Sequence, residues 1–368
     1  MERSLSGSVP EAVARQMESI YSKVSLRLIP FLFLCYIFSF LDRVNVGFAK
    51  LQMQKDLALS DTVYGLGAGI FFLGYFLFEV PSNLLLEKFG PRKWIGRIMI
   101  TWGLVCSAAM FSRSSSSFYA CRFLLGVMEA GFFPGIILYL TYWYPEERRA
   151  HITAMFLTAI PVAGLVGSPI SGWIMQTFTG TAGLAGWKWL FLLEGIPSVV
   201  LGVATLFYLD DSIESAGWLE RDEKKLLANN IAAEKEAKTH HSLKDGLVEW
   251  RVWFFGVVYF CFVSGLYGFS FWLPQMIKSS GVGSELRIGL LTAVPNGLAI
   301  AGMLWAGRSS DLMLERRWHT LVCGLVAGLG LMLSAGFAAD TCIAVFSATL
   351  GLAGVMACLS IFWSFPTA

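Results

Sequence analysis

Charge is what this sequence has least of. Asp, Glu, Lys and Arg make up 15% of its 368 residues, against about a quarter in an ordinary soluble chain. The four histidines (151, 240, 241 and 319) fall in loops or at the ends of apolar runs, without metal-ligand spacing, so no metal site is expected. Seven cysteines lie mainly inside apolar runs with no close pair, which suits packing better than disulfides or a metal. No G-x-x-x-x-G-K-[ST] loop occurs, which argues against ATP as an energy source. No nucleophile–base constellation points to an enzyme, and no cofactor or nucleic-acid partner is expected. The N-terminus is polar to about residue 26 and lacks the charged-then-apolar pattern of a cleaved signal.

What the chain does have is hydrophobic length. With 55% hydrophobic residues, it carries ten apolar runs, each long enough to cross a hydrocarbon core. They lie at about 27–49, 62–86, 94–111, 117–144, 151–177, 187–209, 251–277, 286–306, 317–338 and 341–365. This predicts an all-α polytopic membrane protein in a lipid bilayer. Residues 210–250 break the pattern: they are charged, helix-compatible and poor in large apolar residues. The expected organisation is an N-terminal segment (1–26), a six-helix bundle (27–209), an amphipathic linker (210–250) and a second bundle (251–368). Twenty of the 28 Lys and Arg residues fall on the side holding the N-terminus and the linker, and six on the other. The basic excess makes that side cytoplasmic.

The remaining two basic residues, Arg43 and Arg122, sit deep in apolar runs, each near an acid. A charge at mid-bilayer depth costs about 3 kcal/mol on insertion scales. Arg122 and Glu129 are seven apart, two helical turns, and therefore share a face. One face carrying both charges looks into a polar cavity, or else forms an ion pair that locks two helices. Asp42 and Arg43, being adjacent, diverge by about 100° on a helix and need not touch. A planar guanidinium stays charged when buried and pairs with a carboxylate at two points, so both arginines are candidate anion ligands. An anion that captures such an arginine frees the neighbouring acid to take a proton, so anion and proton favour each other's binding. Asp42 and Glu129 are the acids placed for that coupling.

Further candidates follow from polarity within the runs. Tyr75, Tyr267, Trp272, Gln275 and Asn296 can line a substrate cavity, though each also reads as packing or as a bilayer anchor. No charged residue lies deep in the last four runs. Glu79 and Glu194 each precede a proline by two or three residues, and read as partners for freed backbone or for gate residues, with proton relay as the alternative. Gly164, Gly167, Pro169 and Gly172 in the fifth run allow close helix approach and bending.

An internal repeat is visible. Asn83 to Lys93 and Gly307 to Arg317 occupy equivalent places after the second run of each half, and each sets an acid (Glu87, Asp311) shortly before basic residues. Parallel repeats of this kind occur in secondary transporters. On these residues the chain resembles the major facilitator superfamily, whose loop motif G-x-x-x-D-R-x-G-R-[RK] is met here by Gly90, Arg92 and Lys93 but not by Asn83, Glu87 and Lys88. The resemblance to its anion–cation symporter branch is more specific. It rests on FLDRVNVGFA (40–49), GIFFLGYFLFEVPSNLLLEKFG (69–90), RFLLGVMEAGFFPG (122–135), YWYPEERRA (142–150), WLFLLEGIPS (189–198) and FWLPQMIK (271–278).

Tartrate transporters of bacteria are the nearest likeness, with phthalate, hydroxyphenylacetate and sugar-acid transporters close behind. The resemblance implies a fold of two pseudo-symmetric six-helix halves. Against twelve helices the ten counted here leave the C-terminal half truncated. It also implies uptake of a small organic anion with a proton, driven by the proton gradient, by a monomer in the inner membrane. It assigns anion binding to Arg43 and Arg122 and proton carrying to Asp42 and Glu129.

Overall fold

The computed structural model describes residues 11–237, 249–336 and 339–362. Outside them lie the first ten residues of the N-terminal segment, the middle of the linker with His240 and His241, Trp363 and the Pro366–Ala368 end. The described residues form helices α1 (Glu11–Val44), α2 (Val46–Asp56), α3 (Asp61–Phe89), α4 (Pro91–Ala108), α5 (Ser115–Glu129), α6 (Phe132–Leu140), α7 (Glu146–Leu157), α8 (Ala159–Phe178), α9 (Gly186–Tyr208) and α10 (Arg221–Ala237). Four more complete the set: α11 (Trp250–Ser279), α12 (Glu285–Met313), α13 (Arg317–Gly336) and α14 (Thr341–Phe362). Apart from α10, they amount to ten spans long and apolar enough to cross a membrane, with α1–α2, α5–α6 and α7–α8 each acting as one broken span.

The starts of these helices have local causes. Ser60 accepts the Val63 amide at 3.2 Å, Ser284 accepts the Arg287 amide at 3.3 Å, and Ser114 and Ser117 cap α5 reciprocally. At the start of α13, Glu315 accepts the Trp318 amide at 3.0 Å, and these backbone donors hold its carboxyl below the usual carboxylate range.

Four boundaries differ from the sequence reading. The first helix begins by Glu11, well inside the stretch read as a polar segment ending at residue 26. The run 117–144 is broken at Ala130–Gly131, where Gly131 takes φ +82° and a Cβ would meet Ser82 Oγ at 2.5 Å. The two repeat segments read as loops are largely helical: α3 continues to Phe89 and α12 to Met313, so the turns fall at Gly90 (φ +87°) and Leu314 (φ +50°).

Without water to squeeze out, helices in lipid pack through close approach. A Cβ on Gly126 would lie 2.0 Å from the Phe71 carbonyl oxygen, and one on Gly74 2.5 Å from that of Phe123, so α3 and α5 touch backbone to backbone. The same holds across the halves: a Cβ on Gly172 would meet the Glu285 oxygen at 2.4 Å, and one on Gly289 the Ser168 oxygen at 2.4 Å, fixing α8 against α12. These contacts bring the charged stretches of α1 and α5 to the middle of the bundle, facing α11.

Candidate functional site

Arg43 ends α1 just before the Asn45 break, and Glu129 ends α5 just before the Gly131 break. The chain therefore places both charges at interrupted helix ends. Arg43 Nε and Nη2 donate to Glu129 Oε1 at 3.1 and 2.5 Å, and Ser39 Oγ donates to the same oxygen at 2.7 Å. Glu129 is fully buried and its Oε2 has no partner among the described residues. Arg43 Nη1 donates to the Tyr267 hydroxyl at 2.6 Å, so the cluster spans α1, α5 and α11.

Arg122 lies beside this pair without joining it. It is 3% exposed, its Nη2 donates to the Arg43 carbonyl at 3.3 Å, and its Nε and Nη1 have no partner among the described residues. The two guanidinium groups stand 5.3 and 5.1 Å from the Phe71 ring centroid; Tyr75 adds a ring 5.2 Å from Arg43, and Phe271 one 5.9 Å from Arg122. Aromatic faces attract a desolvated cation but leave its N–H groups unmatched. The arrangement is a pair of converging arginines of which one is neutralised and the other retains two free donors.

Asp42 points the other way, as the turn angle between neighbours requires. It accepts from Trp102 Nε1 at 3.0 Å, Ser198 Oγ at 2.5 Å and Cys106 Sγ at 3.4 Å, groups carried by α4 and α9. Glu194 of α9 accepts from Ser171 Oγ at 2.6 Å. Glu79 is half-buried on α3, and its carbonyl accepts from Asn83 Nδ2 at 2.9 Å.

Trp272, Gln275 and Asn296 do not join the arginines. Trp272 stacks edge-on to Tyr64 with centroids 5.4 Å apart, Gln275 is half-buried nearby on α11, and Asn296 fills the notch over Gly164 at the α8–α12 contact. Pro169 lies inside α8 at the same contact, where a Cβ on Gly289 would meet its Cα at 3.2 Å. Glu87 is exposed. Arg92 turns to Asp211 instead: its amide donates to Asp211 Oδ1 at 2.9 Å, and Gly90 leaves room for that carboxylate. Asp311 is exposed and borders a cavity of about 760 Å³ that also reaches Met155, Thr158 and Arg308. A second, small cavity of about 30 Å³ lies between α1–α2, α8, α11 and α12, with Asn45, Ser171 and Asn296 in its wall. Neither cavity is lined by the arginines, which are enclosed by aromatic rings.

Sequence reasoning missed several of these partners. Lys50 is one: its ammonium sits 4.6 Å from the Tyr64 ring and 5.2 Å from Trp272, pairs with exposed Asp61 at 2.9 Å, and has a side chain 1% exposed. Its place seven residues after Arg43 was the available signal. Lys278 Nζ donates to the Leu51 carbonyl at 2.6 Å and Tyr64 OH to that of Phe271 at 3.1 Å, so α2 and α3 are tied to α11 above the arginines. Ser39, Phe71 and Asp211 carried no signal beyond ordinary polarity or packing.

The profile of the Major Facilitator Superfamily matches residues 32–368. The chain is 47% identical over 353 residues to a protein of Pseudomonas putida named "Putative metabolite transport protein NicT", an alignment covering 95% of this chain and 80% of that one. It is 49% identical over 350 residues to a "Putative tartrate transporter" of Agrobacterium vitis, with coverage of 95% and 80%. Among solved structures, a bacterial homologue of the human lysosomal transporter Spinster superposes with a TM-score of 0.69 at 16% identity, over 91% of this chain and 72% of that one, a likeness of fold alone.

Proposed function

The chain belongs to the Major Facilitator Superfamily, and we propose that this multi-pass membrane transporter imports a small organic dicarboxylate of the tartrate type together with a proton. The observation that carries the reading is Arg122: a guanidinium 3% exposed with Nε and Nη1 unpartnered among the described residues. Leaving a buried donor unmatched costs about 1–3 kcal/mol, more when it is charged, and a carboxylate is the ligand whose two oxygens match that fork.

The chain's own groups give a route to coupling. A substrate with two carboxylates bridges Arg122 and Arg43, and in taking Arg43 it displaces Glu129. Glu129, already lacking a partner at Oε2, then accepts a proton so as not to remain a lone buried charge. Asp42 is the second proton carrier, held by neutral donors on the far side of the same helix. Lys50, Tyr64 and Trp272 close the site toward the side opposite the linker, and the α8–α12 contact, with Gly164 and Pro169, supplies the hinge surface as one half rocks on the other. The basic excess puts the linker in the cytoplasm, so uptake runs from the Lys50 side to the linker side of the inner membrane. The carrier works as a monomer.

An imposed inward proton gradient should drive tartrate uptake into proteoliposomes, and Arg122→Ala should abolish binding. Normal tartrate binding by Arg122→Ala would end the assignment. The rings of Phe71, Tyr75, Tyr267 and Phe271 around the arginines favour a second reading, an aromatic carboxylate. Phthalate competing better than tartrate would select it.

A further inference from the structure

Away from the arginines, α9 carries a carboxyl that the transport scheme does not use. Glu194 is 3% exposed. Among the described residues no Lys or Arg pairs with it, and the titratable groups that act on it are Asp42 from α1 and Cys106 from α4. Ser171 is its hydrogen-bonding partner from α8, and the Asn45 amide is its neighbour at the α1–α2 break.

Two features of this surrounding disfavour a carboxylate. First, among the described residues no cation offsets a charge on this buried group, and Glu194 Oε2 has no donor. Second, Asp42, the acid that acts on it, is itself fully buried, so two carboxylates would repel each other. Ser171 Oγ donates to Glu194 Oε1 at 2.6 Å and lies 2.9 Å from the Gly167 carbonyl. A proton on Glu194 removes the uncompensated charge and keeps the serine contact.

We propose that Glu194 is held as the neutral acid in this conformation and is a proton-exchange site separate from Glu129. The small cavity between the halves gives it access. Its volume of about 30 Å³ holds roughly two waters, and both Asn45 and Ser171 line it. A proton arriving along the cavity water as hydronium passes to Ser171 Oγ while Ser171 gives its own to Glu194 Oε1, and water is left behind; release is the reverse. Atoms and charge balance, and no other reactant is needed. The cavity is walled on the far side by α11 and α12, so parting of the halves widens the route and their closing shuts it.

The test is infrared spectroscopy of the protein in liposomes at neutral pH, reading the carbonyl stretch of protonated carboxylic acids. We expect a band that Glu194→Gln removes, that Glu129→Gln leaves in place, and that shifts in D2O as the proton exchanges. If Glu194→Gln fails to fold, Ser171→Ala serves: loss of its hydroxyl should move the band while keeping it. A band unchanged in both variants would overturn the proposal, and a band that Glu194→Gln removes but D2O does not shift would overturn the exchange route. None of these readouts depends on which anion is carried, so failure here is distinct from failure of the tartrate assignment.

Discussion

Replacing Glu129 by Gln isolates the coupling step. Glu129 Oε1 accepts two bonds from Arg43 and one from Ser39. Gln keeps the size and an oxygen in that place but removes the charge that competes with a substrate carboxylate for Arg43. In the wild type one proton enters with the anion, so the dissociation constant rises tenfold per pH unit, about 1.4 kcal/mol per unit, wherever Glu129 is ionised before binding and neutral after it. The sign follows from linkage: raising pH removes the proton that binding takes up, and affinity falls. Across about two pH units the change is about a hundredfold, or roughly 2.7 kcal/mol. Glu129→Gln binds no proton there, so its dissociation constant should be flat and close to the wild-type acid limit. Titration calorimetry with tartrate in detergent measures it, and counterflow exchange in liposomes should survive while gradient-driven uptake is lost. A variant retaining the full tenfold-per-unit slope would refute the scheme.

Other substitutions probe the frame around that step. Arg122→Ala removes two donors to the anion and should weaken tartrate binding at least a hundredfold, about 3 kcal/mol, with thermal stability unchanged or raised because an unpaired buried cation is gone. Gly126→Ala drives a methyl to 2.0 Å from the Phe71 carbonyl oxygen. It should lower stability by about 1–3 kcal/mol, seen as a reduced Tm in detergent. At the start of α13, Glu315 is ionised to lower pH than an ordinary carboxyl because the Trp318 amide donates to it. Protection of the Trp318 amide, its exchange rate relative to the intrinsic rate at the same pH, should therefore be high above the ordinary carboxyl range and be lost only as pH falls through the depressed value.

The ten spans were legible because lipid demands about twenty apolar residues each, and composition alone marks them. Breaks within spans were less so. Gly131 interrupts its helix through its backbone angle and close approach, whereas Asn45 keeps helical angles (φ −56°, ψ −23°), and a single glycine in a run does not announce which of several will take φ near +80°. Helical periodicity put Arg122 and Glu129 on one face, and they do lie in one helix, but it said nothing of partners on other helices. Glu129 pairs with Arg43 across the α1–α5 contact, and that choice left Arg122 open. Lys50 follows the first apolar run directly, and a lysine near the end of such a run normally reaches water. Here Tyr64 and Trp272 cover it. The degenerate loop motif hid Asp211, which sits 119 residues from Arg92 in sequence and substitutes for the exposed Glu87 as its partner.

Everything in the transport reading turns on where the anion sits. A structure of the protein with tartrate bound decides it. One carboxylate should lie about 2.7–2.9 Å from Arg122 Nε and Nη1, with Arg43 drawn from Glu129 toward the other. Tartrate bound elsewhere, with both Arg122 donors still empty and the Arg43–Glu129 pair intact, would contradict it.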